Sequence, residues 1–327
     1  MTHNIKQISF FSILLTILFT IITNNNIKAL KIVEEVKAKN IPNSNLFPIQ
    51  NKDGCGFIDN QGKMVIPQKF SCLTAYFDMA NKHQFYEELA LVSSQEGYGY
   101  INNKGEFIIQ PKFEDGQPFN QGLAAVKVDD KWGYINKSGD LVVKPVYDEV
   151  QPFNQGLAAV KVDDKWGYIG RDNLELTIAS VFDRATSFSE GLAFVEYEGK
   201  EFYMNQKAEM IYTLPKGCRG SKFSDQMAKI SCSVPRGSDL KYVQSLDFID
   251  INGQGYDYNL FITDSFSEGL APFISEGLEG FIDKKENIVI PPIFNSVNNF
   301  KQGLAIVEKQ DGTWAYIDKK GKVVSEF

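Results

Sequence analysis

Residues 117–135, QPFNQGLAAVKVDDKWGYI, occur again letter for letter at 151–169, a shift of 34 residues. An internal repeat of that period means a small supersecondary unit stacked many times, so it limits the fold to repeat architectures before anything else is known. Degenerate copies extend it. Trp132-Gly133-Tyr134-Ile135 and Trp166-Gly167-Tyr168-Ile169 are the clean tetrads, and Tyr98-Gly99-Tyr100-Ile101, Glu279-Gly280-Phe281-Ile282 and Trp314-Ala315-Tyr316-Ile317 lie one or two changes away. Cys55-Gly56-Phe57-Ile58 is the first copy, while Glu201-Phe202-Tyr203-Met204 and Leu246-Asp247-Phe248-Ile249 have lost both Trp and Gly. A second block, F-x-x-G-L-A, begins at Phe119, Phe153, Phe188, Phe266 and Phe300, about ten residues ahead of the first block each time. Two blocks in phase give about eight modules.

One module reads as three short antiparallel strands. Leu123–Val128 (LAAVKV) is apolar, with Val126 and Val128 on one face and Lys127 on the other, the period of a half-buried strand. Asp129-Asp130 is a turn, where Asp is favoured for local hydrogen bonding. Lys131–Asn136 is a second strand with Trp132 and Tyr134 on one face and Gly133 and Ile135 on the other. A turn at Gly139 leads to a third strand over 141–143, ended by Pro145, which has no N–H to donate to a ladder. Gly133 beside an aromatic leaves room for a ring from a neighbouring module, and a Trp recurring in register is more often core than ligand platform. A unit of this size cannot bury both faces alone, so neighbours must stack on it. The expected fold is all-β, a tandem repeat of about eight three-stranded units. An open curved solenoid is favoured over a closed propeller-like ring, because the chain starts with a first strand and ends with a third, leaving no strand to swap across a seam.

The two blocks, and the Lys131-Trp132-Gly133 and Lys165-Trp166-Gly167 cores in particular, resemble the WG-repeat (KWG-repeat) family from about Leu46 to the C-terminus. That resemblance implies a mostly bacterial repeat architecture and carries no catalytic residues and no cofactor.

The N-terminus has Lys6, fifteen uncharged residues over 8–22, and a polar stretch ending at Ala29. This is the pattern of a signal peptide over residues 1–29, too short for a spanning helix, which takes about 20 apolar residues. A lead-in over 30–45 and a repeat domain over 46–327 follow, and the expected location is periplasmic, cell-surface or secreted. Loss of Lys6 and Lys28 with the signal shifts the net charge of −7 two units further negative. An acidic chain without a basic run is unsuited to nucleic acid or to an anionic membrane surface. Four cysteines in an exported chain invite pairing, and the local choice joins Cys55 to Cys72 and Cys218 to Cys232. Two other connectivities stay open, and a zinc site has no C-x-x-C spacing to support it.

Departures from the template are where specialised surface is expected. One insertion lies between Phe70 and Leu89 and is rich in aromatics, giving Tyr76, Phe77, His83, Phe85 and Tyr86 as a candidate binding surface. The other, around 234–243, carries Pro235, Arg236 and Lys241. Both also read as tolerated surface insertions. No nucleophile elbow, phosphate loop or H-E-x-x-H zinc motif is present, and His83 in a loop reads as solvated. Asp129-Asp130 and Asp163-Asp164 repeat at a turn, unlike the single acid pair of a glycosidase. Asp247, Asp250, Asn252, Gly253 and Asp257 approach a calcium loop but miss its spacing. The expectation is a non-enzymatic exported scaffold without cofactor or metal that binds a protein. A polysaccharide-binding module is the alternative, and a carboxylate glycosidase ranks third.

Overall fold

The computed structural model describes residues 46–51, 54–71, 82–232 and 247–327, and apart from one helical residue at Lys82 the regular elements among them are β-strands. The signal segment and lead-in, the core of the first insertion and the whole 234–243 loop lie outside these residues. The tetrads fall on the middle strands of antiparallel meanders, at Gly54–Ile58, Gly97–Ile101, Lys131–Asn136, Lys165–Gly170, Lys200–Asn205, Leu278–Asp283 and Trp314–Asp318, and Phe248 and Ile249 of the sixth tetrad lie on Phe248–Asp250. A short extra strand from the crossover adds a fourth member in several modules. In the 115–147 module Asp115–Gly116, Leu123–Val128, Lys131–Asn136 and Leu141–Tyr147 are hydrogen-bonded in that order. The last two modules share one long strand, Ile288–Val297, which pairs with both.

Turn chemistry accounts for the hairpins. Asp129 and Asp130 take φ of 49° and 61°, the left-handed pair that a two-residue hairpin loop needs, and Asp163 and Asp164 repeat it at 48° and 61°. The repeated acid pair is therefore a turn. At the far end of the middle strand Asn136 Oδ1 accepts the N–H groups of Ser138 and Asp140, each at 3.0 Å. Asp59, Asn102, Asn205, Asp283 and Asp318 do the same for their own turns.

The third strand differs from expectation in a way that explains the glycine. It runs through Pro145 to Tyr147 rather than stopping. Val143 pairs with Tyr134 and Tyr147 with Trp132, so Lys144, Pro145 and Val146 bulge opposite the single residue Gly133. A Cβ at Gly133 would lie 2.5 Å from the Val143 carbonyl oxygen and 2.8 Å from Pro145 N. The glycine makes room for the bulged backbone of its own module, not for an aromatic from the next. Gly56, Gly99, Gly167 and Gly280 face the same obstruction, and each sits under a comparable register shift. Where the position is Phe202 or Ala315, the residue pairs directly with Thr213 or Glu326 and no bulge intervenes.

The apolar core lies between modules. Tyr134 and Ile135, on opposite faces of one strand, are both fully buried, Tyr134 with Phe153 and Val160 of the next module and Ile135 with Leu91 and Tyr100 of the previous one. The tyrosine ring of one module packs on the phenylalanine of the next, with centroids 4.8–5.0 Å apart for Tyr100–Phe119, Tyr134–Phe153, Tyr168–Phe188 and Tyr203–Phe223. Each of these hydroxyls donates at 2.8 Å to a backbone carbonyl of the following module, at Gln117, Gln151, Thr186 and Ser221. Edge-to-face packing of this kind adds about 1 kcal/mol per pair beyond burial. A polar clasp repeats beside it, in which the turn before the first strand reaches the turn of the next module. Gln121 Oε1 accepts from Gly156 N–H at 2.9 Å, Gln155 Oε1 from Gly191 at 2.8 Å, and Glu190 from Gln226 at 2.8 Å.

The first and last modules also share a core. Phe47, Ile49 and Ile58 pack with Leu304, Ile306 and Tyr316. The Phe47 and Tyr316 rings are 5.4 Å apart, and the Tyr316 hydroxyl donates to Pro48 O at 2.7 Å. Eight meanders thus have eight shared clusters. The cluster of Phe47, Ile49, Ile58, Leu304, Ile306 and Tyr316 brings the two terminal modules into contact. No strand is exchanged; the seam is made by side chains.

Candidate functional site

Of the five residues expected to form a binding surface, Tyr76 and Phe77 lie outside the described residues. His83 is 2% exposed, with Nδ1 2.7 Å from Leu91 O, so the reading of a solvated loop histidine gives way to a buried one. Phe85 is buried too, its ring 5.0 Å from Phe57, in the same inter-module pairing as Tyr134 with Phe153. It stands four residues before Leu89, as Phe119 stands before Leu123, and that spacing was the signal that marks it as core. Tyr86 is half-buried and donates to Gln84 Oε1 at 3.3 Å. His83 and Phe85 therefore belong to packing and do not line a surface.

The cysteines follow the local pattern as far as they are described. Cys218 and Cys232 are disulfide-bonded and sit opposite each other across paired strands. Cys55 is also disulfide-bonded, and Cys72, its expected partner, lies outside the described residues. The calcium-like segment is a turn of the kind seen in six other modules: Asp250 Oδ1 accepts the N–H groups of Asn252 and Gln254 at 2.9 Å each. Asp247 accepts from Tyr258 N–H at 2.9 Å. Among the described residues no group of three or more His, Cys, Asp and Glu side chains is placed to hold a metal ion.

Two features carry more promise. The third strand forms one edge of the sheet in the 115–147, 149–182 and 184–213 modules, and it leaves aliphatic side chains in solvent at matching positions. Leu141, Leu176, Met210 and Ile288 are each about half exposed, at 49–55%, and Met64 and Ile108 belong to the same rows. Their neighbours Pro145, Pro111, Pro67 and Pro291 remove edge donors, which hinders the pairing of another strand to the backbone. The tryptophans do not form such a row: Trp166 is buried, and Trp132 and Trp314 are half-buried beside inter-module clusters.

The second feature is a cavity of about 250 Å³ where segments of the first, second, sixth, seventh and eighth modules converge. Its wall combines Lys222, Asp264, Asn299 and Lys301 with the apolar Phe47 and Leu304. Burial pushes the Lys301 ammonium down to about 8, repulsion from Lys222 adds to this, and Asp264 acts the other way. Asp264 itself accepts Asn299 Nδ2–H at 2.9 Å and Ser265 N–H at 2.6 Å. No sequence motif marks this site, because its residues come from the segments before the first strand of separate modules.

Comparison with curated proteins finds no match. Among solved structures, BamB from Moraxella catarrhalis is similar at 10% identity with a TM-score of 0.45, covering 74% of this chain and 86% of that one. Hsv2 of Kluyveromyces lactis is similar at 8% identity with a TM-score of 0.37, covering 61% and 72%. The family model of the WG-containing repeat matches residues 56–71, 98–132, 132–166, 166–200 and 280–314, the five stretches that keep the glycine beneath the bulge. Over these five stretches the chain matches the WG-containing repeat, in line with its repeated meanders and the glycine that faces each bulge.

Proposed function

We propose that this chain is an exported, non-enzymatic scaffold that binds another protein at the cell envelope or outside the cell, through the apolar rows on its third strands. The observation that carries this reading is the recurrence of half-exposed Leu141, Leu176 and Met210 at equivalent sheet edges, with Ile288 at the start of the corresponding strand of the seventh module. Rows of exposed aliphatics on a rigid repeat fold are a cost to solubility that a partner surface would offset. Export is supported by the charge and hydropathy pattern of residues 1–29 and by the disulfide between Cys218 and Cys232. The non-enzymatic reading is supported by the repeated acid pairs serving as hairpin turns.

The test is saturable binding of the purified mature protein to isolated envelope material, before and after protease treatment of that material. Binding that disappears with protease, and that weakens at least tenfold in a Leu141→Lys, Leu176→Lys double variant with an unchanged melting temperature, is the expected outcome. Binding that survives protease would shift the assignment to a glycan and overturn the protein-partner reading.

A further inference from the structure

The third strands of the first three modules carry more than exposed aliphatics. Met64–Phe70, Phe107–Phe113 and Leu141–Tyr147 are each an edge of their sheet, and they hold Lys69, Lys112 and Lys144 with no carboxylate among them. The third strands of later modules, at Leu176–Phe182, Met210–Thr213, Gly255–Tyr256, Ile288–Val297 and Val323–Glu326, hold no lysine. All three lysines are exposed, and none forms an ion pair among the described residues. Lysines beside the hairpin turns behave differently. Lys127 meets Asp130 at 2.9 Å, Lys161 meets Glu149 at 2.8 Å, and Lys131 and Lys165 pair with Asp148 and Asp183. Carboxylates flanking the three strands have partners of their own. Glu114 accepts the N–H groups of Asp129 and Asp130, Glu106 and Asp140 accept from the Asn102 and Asn136 amides, and Asp148 holds Lys131. An acidic chain thus leaves three unpaired cations on the edges where it also exposes Met64, Ile108 and Leu141.

Between the first two of these strands lies a recess of about 380 Å³. Phe70 and Phe107 form its apolar wall, their ring centroids 5.7 Å apart and their planes perpendicular. Met64, Leu141, Leu176 and Ile288 stand at the matching position of other modules, so the aromatic at Phe107 is particular to this interval. Lys69 shares the recess, with Nζ 5.3 Å from the centre of the Phe70 ring, and Ser94 and Gln95 give it a polar side. The volume is near the lower end of the roughly 300–1,000 Å³ of small-ligand sites, which suits one apolar side chain with a carboxylate beside it. Protein interfaces concentrate their binding free energy in an apolar anchor of this kind, while charges around it set register and association rate.

We propose that this edge receives an acidic, aliphatic segment of the partner protein, with one large apolar side chain against Phe70 and Phe107 and carboxylates facing Lys69, Lys112 and Lys144. The proposal rests on the third-strand reading above and names the chemistry of its partner. Recognition runs through side chains, because Pro67, Pro111 and Pro145 withhold donors that an added strand would use. An anionic bilayer would also meet lysines and aliphatics, but it makes no use of a recess with an aromatic wall.

Fluorescence anisotropy with a labelled peptide of six Asp-Leu repeats tests this, with Lys-Leu and Asp-Gly repeats of equal length as controls. The mature chain is expected to bind the Asp-Leu peptide saturably and at least tenfold more tightly than either control. A Lys69→Glu, Lys112→Glu, Lys144→Glu triple variant should weaken it at least tenfold with an unchanged melting temperature. Added salt should weaken the wild-type protein more than that variant. Phe107→Ala should weaken the Asp-Leu peptide at least threefold; should it fail to fold, Lys69→Glu alone, at an exposed residue, is expected to do so. No binding of the Asp-Leu peptide, equal affinity for the controls, or an unchanged affinity in the folded lysine variants would overturn the proposal. Lysine-dependent binding to phosphatidylglycerol vesicles without peptide binding would overturn it in favour of a membrane. The titration needs no envelope material, so its failure strikes the acidic segment alone, whereas envelope binding that survives protease strikes the protein partner.

Discussion

Replacing Phe47 by Ala tests whether the two ends of the array hold each other. Phe47 is 2% exposed, and its ring lies 5.4 Å from Tyr316, a residue of the last module. Truncating a buried phenylalanine costs about 3–5 kcal/mol, including about 1 kcal/mol for the lost ring pair. Tyr316→Phe removes only the hydroxyl that donates to Pro48 O at 2.7 Å, a loss of about 1 kcal/mol. The two positions should couple, because removing the Phe47 ring loosens the strand that presents the Pro48 carbonyl. In a double-mutant cycle we expect a coupling of about 0.5–1 kcal/mol. Urea unfolding is the assay, read by backbone circular dichroism and by tryptophan fluorescence in a Trp132→Phe, Trp166→Phe background. That background leaves Trp314, which packs beside the shared cluster, as the reporter. A cost below about 1 kcal/mol for Phe47→Ala, or additivity within error, would refute the closing contact and restore an open array with a frayed first module.

Gly133→Ala should destabilise by about 1–3 kcal/mol in thermal melts, since the new methyl would meet the Val143 carbonyl at 2.5 Å and push out the bulge. Trp132→Ala, at a half-buried ring, should cost about 2 kcal/mol, and Trp166→Ala, at a buried one, about 3–5 kcal/mol; equal losses in urea unfolding would contradict the packing described. A Cys218→Ala, Cys232→Ala double variant should lose about 3 kcal/mol in urea unfolding, as expected for a closed loop of this size, and reduction of the wild-type protein, which also breaks the Cys55 disulfide, should cost more than this. The folded-state value of Lys301 is depressed from 10.5 to about 8, so in that pH window the unfolded chain binds the extra proton and stability rises with pH. Relative to Lys301→Met, the wild-type protein should gain about 2–3 kcal/mol between pH 8 and pH 10.5; a flat difference across that window would contradict the burial of this ammonium.

The meander and its faces were legible because they depend on short-range pattern. The strand at Leu123–Val128 and the Asp129-Asp130 turn rest on local properties and appear where the spacing placed them, although Leu123 to Val126 are buried on both faces where a half-buried strand was expected. The role of Gly133 was not legible, because the bulge over it is set by pairing with Val143 and Tyr147 several residues away. Pro145 was read as a stop, whereas a strand edge with a bulge accepts a residue that cannot donate. His83 and Phe85 were misplaced because an insertion disguised the distance from Phe85 to Leu89, which is the template distance. The seam was the least visible feature. In the other modules Ala90, Ala124, Ala158, Ala193, Ala271 and Ala305 follow a leucine and Ala228 follows Met227 at the start of the first strand, but after Leu46 stands Phe47. Where those modules put a phenylalanine four residues ahead, the first has Pro42. Phe47 supplies from the strand the ring that the first module lacks ahead of it, a substitution that makes sense only once Tyr316 is seen beside it.

The Phe47–Tyr316 contact bears on how such a chain can change over time. Nineteen identical residues in adjacent modules give a gene matching stretches at which misaligned exchange can add or remove one 34-residue unit. The side chains that clasp one module to the next would tolerate such an event, since Gln121 and Gln155 perform the same task on Gly156 and Gly191. The seam would not. A chain whose last tyrosine must reach its own beginning has its number of parts set by angle and distance, so gaining a ninth unit would strand Phe47 in water and part the two ends. Sequence drift within modules is permitted here, and a change in their count is what the seam selects against.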